Sequence, residues 1–261
     1  MPKYSQNFLT SHAAAASITQ AANRHDGCEH AVEIGPGKGF LTRGLLAGRE
    51  NKLTLVEIDP AMIAHLNGKY PVPQPFKLVN RDFLELDLDA EFGQYRRVLF
   101  VSNLPYATGT AIMQKLLGWR GFGAAVLMFQ KEVADRILAR PGSRQYGVLT
   151  LSVQSRALAR RVTAVGRKLF SPPPKVDSAV VELTRLDTAL LNNEAETAAF
   201  FHTVKAAFAH KRKTILNSLA HTPGLEKAAL EDALVSCSID PGARPETVPL
   251  EKFLALARLI R

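Results

Sequence analysis

Short apolar, β-branched runs alternate with amphipathic segments through the first two-thirds of the chain. The runs are AVEIG at 31–35, LTLVE at 53–57, FKLVN at 76–80, VLFVS at 98–102 and AAVLMFQ at 124–130. Between them, 39–48, 60–69 and 108–118 have a plausible length for helices. Strands buried on both faces read as continuous apolar runs, so this alternation predicts a parallel sheet flanked by helices. Two further runs, RVTAVG at 161–166 and SAVVELTR at 178–185, flank the prolines at 172–174. Proline has no N–H to give a ladder, which predicts that these two strands pair through an irregular loop and end the sheet antiparallel.

The pattern changes after residue 186. Segments 194–209, 211–220, 224–236 and 249–260 carry Ala, Leu, Glu and Lys at helical spacing, with Pro and Gly between them, and the β-branched runs stop. This predicts an α/β domain over 1–186 followed by a small all-α domain over 187–261. No internal repeat or low-complexity linker interrupts either.

Composition narrows the class. A chain of 261 residues with 46% hydrophobic and 22% charged positions can build one full-size domain and a small one. Lys and Arg number 33 against 24 Asp and Glu, a net +9 that favours a polyanionic partner, either nucleic acid or an anionic membrane surface. No uncharged apolar run approaches the ~20 residues of a membrane span. The N-terminal stretch lacks the continuous apolar core of a secretory signal, so no membrane association is expected. Cys28 and Cys237 stand far apart without CxxC spacing, and the seven histidines are scattered. Neither a disulfide framework nor a metal site is implied, which suits a reducing cytoplasm.

Candidate chemistry begins at Glu33-Ile34-Gly35-Pro36-Gly37-Lys38-Gly39, where a strand turns into a helix. Glycines there permit a tight turn and close approach of a ligand to the backbone, and a helix start offers free N–H donors. A dinucleotide loop needs G-x-G-x-x-G, but position 40 is Phe. An acidic residue ahead of the loop repels a pyrophosphate and suits a ligand carrying an ammonium and a sulfonium. Glu57 ends the second strand, where a carboxylate can accept both ribose hydroxyls. Asp82 follows the third and can accept from an adenine amino group, with Phe83 beside it to cover the ring. Three acidic positions without a compensating arginine describe S-adenosylmethionine better than a nicotinamide dinucleotide.

The fourth strand runs into Asn103-Leu104-Pro105-Tyr106. Ligands bind at the carboxyl ends of strands in open α/β sheets, so this tetrapeptide falls next to the cofactor. An exocyclic adenine amine is a poor nucleophile because its lone pair is delocalised into the ring. The Asn103 side-chain oxygen and the Leu104 carbonyl, held by Pro105, can accept its two hydrogens and turn the lone pair toward a methyl group. Tyr106 can stack on the base. Transfer then needs positioning and electrostatics, without a metal or a covalent intermediate.

These motifs, with Gln6-Asn7-Phe8-Leu9, Gln130-Lys131-Glu132-Val133, Phe170-Ser171-Pro172-Pro173-Pro174-Lys175-Val176-Asp177-Ser178-Ala179-Val180 and Lys211-Arg212-Lys213-Thr214, occur in one order along residues 6–257. Together they resemble the ribosomal RNA adenine N6,N6-dimethyltransferases of the KsgA (RsmA) type. The resemblance implies a Rossmann-like, seven-strand S-adenosylmethionine methyltransferase sheet with a helical C-terminal domain that binds RNA or the ribosome. It implies cofactor contacts from Asn7, Leu9, Glu33, Gly35, Gly37, Glu57, Asp82, Phe83 and Asn103, and a place for Phe170 on the face of the target adenine opposite Tyr106. The implied reaction dimethylates two adjacent adenosines near the 3′ end of 16S rRNA in an assembling small subunit, by a monomeric cytoplasmic enzyme. Base flipping from a hairpin loop costs less than from a duplex. The family usually has Phe-Gly before QNFL and an acidic residue two positions after it; here these are Tyr4-Ser5 and Ser11. Large-subunit methyltransferases of the macrolide-resistance type, and a non-catalytic assembly factor on the same fold, are the alternatives. The KRKT and PPPKVDS segments favour the small subunit, and the intact NLPY favours catalysis.

Charge placement adds candidate RNA contacts. Residues 1–184 hold 23 basic and 15 acidic positions, and the remainder 10 and 9. From Arg136 to Val176 nine basic residues occur with no acid. Of these Arg136, Arg140, Arg144, Arg160, Arg161 and Lys175 are candidate phosphate contacts, joined by Lys211, Arg212 and Lys213 at the predicted start of a helix. Phe200, Phe201 and Phe208, at helical spacing, are expected in the core.

Overall fold

The apolar runs become the strands of one sheet, and the amphipathic segments become its covering helices. The computed structural model describes residues 7–49, 52–70, 72–222 and 226–260. In chain order it carries β1 (Phe8–Leu9), α1 (His12–Asn23), β2 (His30–Ile34), α2 (Thr42–Arg49), β3 (Leu53–Glu57), α3 (Pro60–Lys69), β4 (Lys77–Asn80), α4 (Leu88–Phe92), β5 (Val98–Asn103), α5 (Gly109–Gly118), β6 (Phe122–Gln130) and α6 (Lys131–Ile137). Then follow α7 (Val148–Gln154), β7 (Ala157–Val165), β8 (Phe170–Ser171), β9 (Ser178–Arg185), α8 (Glu194–Phe208), α9 (Ile215–Leu219), α10 (Lys227–Ser236) and α11 (Leu250–Leu259).

Seven strands pair in the order β4-β3-β2-β5-β6-β9-β7. Strands β2 to β6 run parallel, and β9 turns antiparallel against β6 from Ser178, opposite Gln130, to Thr184, opposite Ala124. The predicted pairing of the last two strands is present. Strands β2 and β3 are buried along their whole length, which explains their unbroken apolar reading. One core cluster joins Ile18, Ala21 and Ala22 of α1 to Ala31, Leu53, Leu55, Leu99, Val101, Val126 and Met128 of the sheet. The Ile, Leu, Val and Met side chains among these each contribute about 1.5–3 kcal/mol on burial.

Two devices outside the apolar pattern complete this sheet-bearing unit. The β1 and β8 segments form a separate two-stranded pair, Leu9 opposite Phe170, and Thr10 gives both its N–H and its hydroxyl to the Leu169 carbonyl. Buried Glu182 of β9 accepts from Arg24 (3.0 Å), from His25 Nε2 (2.9 Å) and from Nε and Nη2 of Arg160. Burial pushes that carboxyl up, but the hydrogen bonds from Arg160 and Arg24 outweigh it and hold its pKa below the ordinary range.

Contacts divide the chain into two units. The sheet-bearing unit ends at Ala134 and resumes over Ala159–Arg185, while Asp135–Leu158 groups with the helices from Leu186 onward. The helical unit thus takes in α7 as well as the segments predicted after 186. Its core holds Tyr146, Leu151, Phe200, Val204, Ile215, Leu234 and Phe253. Phe200 is fully buried, Phe208 lies against Tyr146 and Phe253, and Phe201 lies under the Arg156 guanidinium at 4.7 Å.

Two helix starts correct the expectation. Helix α2 begins at Thr42 rather than 39, because Gly35, Gly37 and Gly39 all have positive φ and keep the segment in a turn. Helix α9 begins at Ile215 with Thr214 as its cap, so Lys211, Arg212 and Lys213 form a turn before the helix and escape its unfavourable dipole end. Among the described residues no helix is long and apolar enough to cross a membrane, and no group of His, Cys, Asp and Glu could hold a metal ion.

Candidate active site

Register sets the floor of the site. Glu57 lies opposite Asn80, the Gly35 N–H bonds the Val56 carbonyl, and the Ser102 hydroxyl bonds the Ile34 carbonyl at 2.6 Å. The carboxyl ends of β4, β3, β2 and β5 are therefore level, and strand order reverses between β2 and β5, where open sheets place their ligands. Glu33, Gly35, Gly37, Glu57, Asp82 and Asn103 come from these neighbouring ends. The sequence separates them by up to 70 positions, and parallel pairing brings them to one rim.

Gly35 has φ +65° with open space where a side chain would stand, so its backbone is accessible to a ligand. Gly37 has φ +54°, and a Cβ there would meet the Phe8 ring at 3.0 Å. Phe8 thus covers the loop, with Lys38 Nζ 4.8 Å from its ring centre. Both Glu57 oxygens are oriented, one accepting from the Gly37 N–H (3.0 Å) and the other from the Asp59 N–H (2.9 Å). Glu57 is 3% exposed. Its lone pairs not facing those donors can still accept hydroxyl hydrogens.

Glu33 is 1% exposed and accepts from the Thr42 hydroxyl at 2.6 Å. Burial pushes its pKa up to about 7; nearby Glu57 adds to the rise, and the Thr42 bond opposes it. A desolvated carboxyl held at that point favours a cationic group near the glycine loop. This acidic, cation-seeking rim beside an open backbone turn fits an S-adenosylmethionine-type ligand and does not fit a pyrophosphate.

Asp82 is half-buried and accepts from the Leu84 N–H at 2.8 Å. Its loop is pinned by Lys115 of α5, whose ammonium donates to the Leu84 and Leu86 carbonyls at 2.7 and 2.6 Å. Phe83 is buried edge-on to Phe100, 6.0 Å between centres.

In the tetrapeptide, the Asn103 amide nitrogen donates to the Asn7 carbonyl at 3.1 Å, leaving Oδ1 as its acceptor. Leu104 is buried, and the Pro105 carbonyl accepts from Thr108 and Gly109 to start α5. The Tyr106 hydroxyl pairs with Ser178 Oγ at 2.8 Å. Phe170 is 4% exposed, in the core cluster that also holds Leu9 and Val165. The β1–β8 pair therefore brings Asn7, Leu9 and Phe170 into the same unit as the tetrapeptide.

The basic candidates are divided between the two units. Arg136, Arg140 and Arg144 are exposed on the helical unit, as are Lys211 and Arg212, with Lys213 half-buried against His221. Arg160, Arg161 and Lys175 belong to the sheet-bearing unit, and the Arg160 charge is matched by Glu182. Sequence reasoning did not single out Phe8, Thr42, Lys115 or Ser178 as site residues. Phe8 and Ser178 lay within quoted motifs, but Thr42 and Lys115 carry no local pattern, since their partners are 9 and about 30 residues away.

A family model for ribosomal RNA adenine dimethylase matches residues 1–261. A ribosomal RNA small subunit methyltransferase A of Shouchella clausii is 39% identical over 259 residues, covering 97% of this chain and 86% of that protein. The protein of the same description from Ruegeria pomeroyi is 40% identical over 261 residues, covering 97% and 89%. Among solved structures, a dimethyladenosine transferase from Plasmodium falciparum superposes with a TM-score of 0.80 at 27% identity, covering 95% of each chain. The 23S rRNA methyltransferase ErmE does so with a TM-score of 0.76 at 29% identity, covering 97% and 99%. Motifs, sheet order and site geometry agree with these likenesses: the chain is a methyltransferase that belongs to the ribosomal RNA adenine dimethylase family.

Proposed function

We propose that this enzyme transfers methyl groups from S-adenosylmethionine to N6 of two adjacent adenosines near the 3′ end of small-subunit (16S) ribosomal RNA, giving N6,N6-dimethyladenosine during subunit assembly. The observation that carries the choice of subunit is the relatives described as small-subunit methyltransferase A, which are 39–40% identical over 97% of the chain. When bound, the cofactor supplies an electrophilic methyl on a sulfonium. Glu57 accepts its ribose hydroxyls, Asp82 its adenine amino group, and Glu33 faces its cationic end, with Asn7, Leu9, Gly35, Gly37 and Phe83 completing the contacts. Asn103 Oδ1 and the Leu104 carbonyl accept the two N6 hydrogens of the target base and free the nitrogen lone pair. Pro105 holds that carbonyl, and Tyr106 and Phe170 take the two faces of the base.

The anchored Asn103 amide supports this reading, because an acceptor fixed before substrate arrives loses no orientation at the moment of reaction. RNA contacts are assigned to Arg136, Arg140, Arg144, Arg161, Lys175, Lys211, Arg212 and Lys213, with Arg160 contributing from within its ion pair. The sheet-bearing unit carries the chemistry, and the helical unit, which includes Asp135–Leu158, helps grip the ribosome, in a monomer working in the cytoplasm.

The test is methyl transfer to small subunits that lack the modification, with the product nucleoside identified. Wild type is expected to yield dimethyladenosine, and Asn103→Ala to lower the rate by about 10²-fold or more while ribosome binding persists. Labelling confined to large-subunit RNA overturns the assigned substrate. Tight subunit binding without any transfer favours an assembly factor instead.

A further inference from the structure

The Tyr106 ring is half-buried, and beside it lies a depression lined by Pro105, Thr110, Met128, Gln130 and Val133. Packing therefore leaves part of the ring without close neighbours, and close neighbours are what normally hold a side chain in one orientation. The far end of the ring is held by the 2.8 Å hydrogen bond between its hydroxyl and Ser178 Oγ. Ser178 is 1% exposed, so its hydroxyl is shielded from water. It opens β9 in register with Gln130 at the end of β6. The residue before it is fixed as well: the Asp177 carbonyl accepts from the Lys131 N–H, and its carboxylate from the Arg167 N–H, each at 2.9 Å. A rigid strand end thus reaches across to the ring that closes the tetrapeptide.

We propose that Ser178 is a positioning residue that sets the plane of Tyr106, and that it matters most for the second methyl added to each adenosine. The inference rests on the dimethylase reading. Each transfer forms an N6–carbon bond and breaks the sulfur–methyl bond, whose electron pair stays on sulfur, while N6 releases one proton to solvent. An unmodified N6 offers two hydrogens, one for Asn103 Oδ1 and one for the Leu104 carbonyl. A monomethylated N6 offers one. With an acceptor left unpartnered, orientation of the base depends more on stacking against Tyr106, and so on the bond that fixes its ring.

Ser178→Ala, Tyr106→Phe and the double variant are assayed on unmethylated small subunits, with mono- and dimethyladenosine separated. Each single change is expected to lower the rate of the second transfer relative to the first roughly five- to tenfold, so that monomethyladenosine accumulates. The double variant is expected to match the singles, because both remove one bond. Tyr106→Phe keeps the ring at a half-buried position, so it reads the bond even where Ser178→Ala folds poorly. Product ratios equal to wild type in both single variants, or a double variant whose loss is the product of the two, overturn the inference and leave the dimethylase reading standing. A wild type that makes no methylated adenosine overturns both.

Discussion

Glu33 illustrates how one side chain couples folding to binding. An unburied carboxyl of its kind titrates near 4.5, and burial moves Glu33 to about 7. Between those values the native state keeps a proton that the unfolded chain has lost, so stability falls as pH rises through this window, by an amount of order 3 kcal/mol. Glu33→Gln cannot titrate but keeps an oxygen for the Thr42 hydroxyl. It is expected to melt well above wild type at pH 8 and close to it at pH 5; equal gains at both values would show that Glu33 stays charged in the free protein. A cationic ligand group beside Glu33 pulls the same pKa down. Cofactor binding at pH 7 should therefore release protons, read as a binding enthalpy that changes with buffer ionisation enthalpy, and Glu33→Gln should abolish that dependence. The sequence marks Glu33 as acidic and next to the glycine loop. It does not show the burial that raises the pKa, because burial comes from β3 and β5 on either side of β2.

Elements hold the site residues still. Lys115 of α5 ties down the Asp82 loop through two carbonyls. Lys115→Met keeps the aliphatic stem but leaves both carbonyls without the ammonium, and is expected to raise the cofactor KM about five- to tenfold with kcat little changed. A fall in kcat alone would place Lys115 elsewhere in the mechanism. At the other end of the sheet, Glu182 joins α1 to β9 and β7. Glu182→Gln is expected to cost about 2 kcal/mol, because it leaves Arg24 and Arg160 beside a neutral group, discounted for the exposure of both arginines. A denaturant midpoint equal to wild type would show the cluster to be idle. Helix α3 was legible to the residue, because Asp59 caps it and Pro60 starts it. The two-residue strands β1 and β8 were not, since their pairing spans about 160 residues and no apolar period is visible over two positions. Helix α9 starts later than the spacing over 211–220 predicts, for a related reason. Lys211, Arg212 and Lys213 have good helix propensity, but Thr214 caps the helix after them.

For the whole molecule, the excess of basic residues predicts a salt-sensitive grip on RNA. Affinity for small-subunit RNA should fall log-linearly with salt, and Arg140→Ser with Arg144→Ser should lower the slope by about 1.5 to 2 while cofactor affinity stays unchanged. An unchanged slope would remove these exposed arginines from the interface. The acid-free stretch is continuous in the sequence, and its residues 136–158 belong to the helical unit and 159–176 to the sheet-bearing unit. One of its arginines, Arg160, is also matched by a carboxylate 22 positions later. What the sequence determined by itself was the sheet, its flanking helices, the glycine turn, the acidic strand ends and the tetrapeptide. Each of these is written in contiguous residues whose period or turn chemistry acts over a few positions. Tertiary structure alone decided that Phe8 covers the glycine loop, that Asn7 orients Asn103, that Glu33 is desolvated, and that Ser178 holds Tyr106. Those facts depend on strand register and on pairings across about 20 to 100 positions, and no local pattern of side chains encodes a distance of that kind.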